Sequence, residues 1–149
     1  MRNCNIGYRS YVDVHLADVY PVHVMKKHRQ QMKAAEIATL EVAVRTYANP
    51  TFAQHAYDRM AEKHVTAREI ELALKYGEVI EVHNEAGTLR SVVRFPYGKP
   101  KVAVCVVLDF DTNAVVTTWK NAGSDNHKTL NLLAYSWKVD VTTLFPART

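Results

Sequence analysis

The sequence predicts an α+β domain in which N-terminal helices pack on a four-stranded antiparallel sheet and a C-terminal helix closes the chain. Three observations predict it. Helix punctuation dominates as far as Gly77, four apolar or alternating runs follow between Glu78 and Trp119, and the links between those runs are short and rich in turn residues. Short links between successive strands imply antiparallel hairpins.

Taken in order, Tyr11 to Leu16 alternates as a short strand does, and Pro21 to Tyr47 reads as one long helix. Its stripe is Val24, Met25, Met32, Ala35, Ile37, Leu40, Val42 and Val44, with a basic cluster of Lys26, Lys27, His28, Arg29 and Lys33 in the first half. Asn49-Pro50 disfavours helix before the proline, so the division falls there: residues 1–50 form a helical extension and 51–149 an α+β unit, together one compact body. Thr51 with Gln54, and Thr66 with Glu69, make capping-box patterns that start helices over Phe52 to Lys63 and Ala67 to Tyr76. Gly77 supplies a left-handed end to the second.

The four strands are Glu78 to His83, Leu89 to Phe95, Lys101 to Leu108 and Ala114 to Trp119. The second sets Arg90, Val92 and Arg94 against Ser91, Val93 and Phe95, so one face of the sheet carries charge; the third is apolar throughout, as a central strand covered on both faces is. Asp125 or Asn126 caps a last helix from His127 to Trp137, and Val139 to Phe145 follows as strand or coil.

Composition narrows the function classes. Nineteen Lys and Arg against 15 Asp and Glu give a net charge of +4, which permits a polyanionic partner without demanding one. Two cysteines, Cys4 and Cys105, make no disulfide framework, and no stretch approaches the ~18 apolar residues of a membrane span, so a cytoplasmic location without a membrane partner is expected. His-Glu-x-x-His, Cys-x-x-Cys, Gly-x-Gly-x-x-Gly, Walker and Gly-x-Ser-x-Gly patterns are all missing, which points away from metal, nucleotide and serine-triad chemistry; no cofactor is expected.

What remains is a set of acid–base groups and cations. His55 and Arg59 stand four apart on one helix face, Arg90 and Arg94 share a strand face, Tyr97 and Lys99 sit in a turn, Thr117 and Thr118 lie on the last strand, and His127 follows it. Metal-free RNA cleavage needs a base for the ribose 2′-hydroxyl, cations for the phosphate and an acid for the leaving 5′-oxygen, all of which this set offers. Each residue also has a plainer reading: His55 as a cap or packing group, Arg59 as a partner of Asp58 or Glu62, Arg90 and Arg94 as solvated charges, Trp119 and Tyr97 as core.

In order and spacing, Phe52 to Met60, Thr66 to Ile70, Tyr76 to Glu81, Arg90 to Arg94, Val115 to Asn121 and Asp125 to Leu130 resemble the metal-independent ribonuclease group of the barnase–EndoU–colicin–RelE-like fold, over about residues 52–133. The resemblance implies helices on a four-stranded antiparallel sheet and RNA cleavage to a 2′,3′-cyclic phosphate. It implies functional roles for His55, Arg59, Thr117 and His127; on the leading reading His55 or His127 acts as base and acid, Arg59 and Arg94 hold the phosphate, and Thr117 donates a hydrogen bond to it. RNA, tRNA among the substrates, and an immunity or antitoxin protein are the partners it implies. The alternative is a relative without catalysis, suited to a phage or mobile element, that binds and inhibits a host macromolecule.

Overall fold

The computed structural model describes residues 25–46, 49–85, 87–97, 102–122 and 132–145. Three helices, α1 (Ala34–Thr46), α2 (Gln54–Lys63) and α3 (Ala67–Tyr76), lie on one face of a six-stranded sheet. Its strands are β1 (Met25–His28), β2 (Thr51–Phe52), β3 (Glu78–Glu85), β4 (Thr88–Tyr97), β5 (Val102–Asp109) and β6 (Ala114–Ala122), in the spatial order β1-β3-β4-β5-β6-β2.

The sheet corrects the four-stranded antiparallel expectation. The meander β3 to β6 is antiparallel as expected, but β1 adds antiparallel to β3 at one edge and β2 adds parallel to β6 at the other, which makes the sheet mixed. The long helix expected over residues 21–47 is divided accordingly. Within the described part, Met25–His28 is a strand, Arg29–Gln31 a 3-10 turn, and helix begins only at Ala34. Lys27 and His28, read as a solvated basic face, are buried. The alternating strand expected over residues 11–16 lies outside the described residues.

Local chemistry accounts for the helix ends. Thr66 caps α3 through its side chain and Glu69 reciprocates, as the pattern predicts. Thr51 does not cap α2; it pairs with Ala114 in β2, and Ala53 occupies the cap position without a side-chain bond. The left-handed helix end belongs to His64 after α2, at φ 56 and ψ 43, rather than to Gly77, which is extended at φ −72. Gly77 is required for another reason. A Cβ there would stand 2.5 Å from the Ala73 carbonyl oxygen, 2.7 Å from Val93 Cγ1 and 2.8 Å from the Arg94 carbonyl oxygen. Gly77→Ala is therefore expected to destabilise by about 1–3 kcal/mol through overpacking against backbone, read as a lower urea midpoint.

The helix-side core joins Leu40 and Val44 of α1, Ala56 of α2 and Ile70, Ala73 and Leu74 of α3 to Val79, Val82, Val93, Val104, Val106, Leu108 and Val115 of the sheet. A segment over residues 132–145 completes it, with Val141 fully buried and Trp137 and Phe145 packed against the cluster. This segment corrects the expected C-terminal helix within its described part. Leu132–Ala134 is a single 3-10 turn, residues 135–140 are irregular, and the Trp137 amide donates to the Lys26 carbonyl at the edge of β1. Residues 127–131 of that expected helix lie outside the described residues. Among the described residues no helix is long and apolar enough to cross a membrane.

Candidate functional site

The face of the sheet away from the helices gathers most of the buried polar and charged side chains of the described residues. Two β-bulges decide its content. Val79 pairs with Val93 but Glu81 with Val92, so Ile80 is the extra residue, and Glu81 and His83 then share the face of Arg90, Val92 and Arg94. On β6 the shift between Val107 and Leu108 makes Val116 the extra residue and places Thr117, Trp119 and Asn121 on that same face. A small apolar cluster of Ile80, Val92, Cys105, Val107 and Trp119 forms its floor.

At the β1 and β3 end, five titratable side chains meet. The Tyr135 hydroxyl donates to Glu81 Oε1 at 2.8 Å, and Glu81 Oε2 lies 3.9 Å from His83 Nε2. His28, opposite Glu81 in register, sets its ring edge-on to Tyr135 with centroids 5.1 Å apart, and the Lys26 ammonium sits 4.4 Å from the centroid of the Tyr135 ring. Glu81 is 1% and His83 0% exposed, so their partners act without competition from bulk water. Two arginines flank Val92, the residue across from Glu81. Arg90 Nε lies 3.4 Å from Asp109 Oδ2, and Arg94 Nη1 donates to Glu78 Oε1 at 3.1 Å. Glu81, His83, Arg90 and Arg94 thus form a compact array of proton-transferring groups and cations on adjacent strands.

The candidates read from the sequence fall in two places. Arg94 and Thr117 lie on this face, both buried. His55 and Arg59 lie on α2, whose inward residues Ala56 and Met60 belong to the helix-side core. His55 Nε2 accepts from Arg59 Nε at 3.3 Å, and Arg59 Nη1 is bound to Glu62 at 2.7 Å, so the pair meets as the four-residue spacing predicts. The pair stands in the helix layer, across the sheet from Arg94 and Thr117. Thr118 points to the helix side and donates to the Cys105 carbonyl at 2.7 Å. His127 and Lys99 lie outside the described residues.

Residues 52–120 match a family model described as Domain of unknown function (DUF4258). The matched span runs from β2 into β6 and includes Glu81, His83, Arg90, Arg94 and Thr117, while His28 and Tyr135 come from outside it. No curated protein matches the chain, and no solved structure does. Sequence reasoning passed over Glu81, His83, His28 and Tyr135. The signal available was Glu81-Val82-His83, an alternation beside the one it used on β4.

Proposed function

We propose that this chain is a metal-independent, RNA-cleaving protein of the cytoplasm whose chemistry resides on the polar face of the sheet. One observation carries the reading: Glu81 and His83 stand side by side on β3, with Arg90 and Arg94 on the next strand. In the reaction Glu81 takes the proton of a ribose 2′-hydroxyl as its oxygen bonds to phosphorus. The bond from phosphorus to the 5′-oxygen breaks, protonated His83 supplies the proton to that oxygen, and a 2′,3′-cyclic phosphate remains. Tyr135 orients Glu81, and the arginines neutralise the charge that develops on the phosphoryl oxygens. The resemblance in motif order to the barnase–EndoU–colicin–RelE-like ribonucleases supports RNA cleavage as the activity. His55 and Arg59 lie in the helix layer across the sheet and take no part in this scheme.

The test is incubation of the purified chain with tRNA and total RNA in EDTA. Fragments ending in cyclic phosphate are expected, and RNA left intact at every protein concentration overturns the enzymatic reading. The burial of Glu81, His83 and Arg94 favours a second reading, a non-catalytic fold that binds and inhibits another macromolecule. A stoichiometric protein partner recovered together with intact RNA decides for it.

A further inference from the structure

On β6, Thr117, Trp119 and Asn121 present a hydroxyl, an indole N–H and a carboxamide in succession along one strand face, all buried. Trp119 stands in a cross-strand row with Cys105 and Arg94, so a small side chain separates the indole from the guanidinium. The indole Nε1 has no hydrogen-bond partner among the described residues, although Trp119 is only 2% exposed. A buried donor left unmade is costly and rare, and indole can donate but never accept. The next cross-strand row on this face runs from Asn121 through Ala103 to Pro96 on β4, and Pro96 is exposed.

We infer that the Trp119 indole N–H, with the Thr117 hydroxyl beside it, is a donor site for a phosphoryl oxygen of a bound nucleic-acid strand. The inference rests on the function proposed above and extends it. Glu81, Val92, Val107 and Thr117 follow one another across β3, β4, β5 and β6, which places the donor row three strands from the acid–base pair, about 14 Å away. A phosphate held there is not the one being cleaved. The substrate is accordingly a polynucleotide, gripped at a phosphate about two nucleotides from the scissile one, with Arg94 between the two positions.

The probe is a short oligodeoxythymidylate, which lacks the 2′-hydroxyl and so binds without being cut. The chain has two tryptophans, and Trp119→Phe identifies the Trp119 indole N–H signal in a nitrogen–proton NMR spectrum while keeping an aromatic side chain in the floor. Saturation with the oligonucleotide is expected to shift that signal downfield, and Trp119→Phe is expected to weaken binding about tenfold. Thymidine is expected to shift nothing, and inorganic phosphate to act only at much higher concentration. A stationary indole signal under saturation, or equal affinity of the wild type and Trp119→Phe, overturns the donor site even if RNA is cleaved. An equal response to thymidine overturns the phosphoryl assignment, and an equal response to inorganic phosphate overturns the nucleic-acid one. A shifted signal with Trp119-dependent binding and no cleavage upholds the donor site while the enzymatic reading fails.

Discussion

Lys27→Met is expected to cost about 3–5 kcal/mol of folding stability, measured by urea denaturation at neutral pH. The side chain lies on the helix side of β1, where its ammonium meets Glu36 Oε2 at 2.5 Å and the Val139 carbonyl at 2.9 Å. Glu36, 2% exposed, also accepts from the amides of Lys33 and Val141. Removing the lysine strands a carboxylate that has lost its counter-charge but not its burial. Replacing both members, Lys27→Met with Glu36→Leu, is expected to recover much of the loss, because the desolvation of both charges disappears along with their attraction.

The same pair sets a pH dependence. Burial pushes the Glu36 carboxyl up, but the Lys27 ammonium and the Lys33 and Val141 amides outweigh it and hold the group below its ordinary value of 4.5. A carboxyl lowered in the folded state contributes stability that is fully present above the unfolded value and is lost as pH falls through the folded one. The stability gap between wild type and Glu36→Gln is therefore expected to be largest above about pH 4.5 and to close below it.

Glu81→Gln is expected to lower the rate of RNA cleavage by about 10²–10⁴-fold. Glutamine keeps the shape of the side chain and can still accept from the Tyr135 hydroxyl, but it cannot take a proton from a ribose. Single-turnover rates compared at equal folded fraction, checked by circular dichroism, separate lost chemistry from lost structure. A rate unchanged in the folded variant removes Glu81 from the reaction. A parallel fall in binding and rate would mark it as a contact rather than a base.

The four strands of the meander were legible because their boundaries are written in turn residues: Gly87 at φ 86, and Asp109, whose carboxylate accepts from the Asp111 and Thr112 amides. The flanking strands were not. β2 is two residues long and carries no periodicity, and β1 holds buried Lys27 and His28 where a strand pattern would show apolar residues. Lys27 is tolerated through a distant partner, Glu36, which local sequence does not announce, whereas the His28 ring accepts from the Gln30 amide two residues on and packs edge-on against Tyr135. The site was half legible for a related reason. Alternation along β4 revealed Arg90 and Arg94, but the bulges at Ile80 and Val116 change which residues share their face, and register is a property of paired strands. Tyr135 reaches Glu81 across 54 positions of sequence, beyond any motif spacing.

The placement of β1 and β2 at the two rims of the sheet also orders the assembly of the chain in time. Each hairpin of the meander closes over a few residues, a microsecond event, whereas Thr51 must find Ala114 across the whole of α2, α3 and three strands. Residues 132–145 must return to β1 across nearly the full described length before Lys27 gains the Val139 carbonyl and Glu36 the Val141 amide. Local pairings form first and entropy-costly closures last, so the rims and the chain's final stretch lock onto a meander already in place. Tyr135 arrives with that last closure, which makes the completed acid–base cluster the property of a finished fold and of no earlier species.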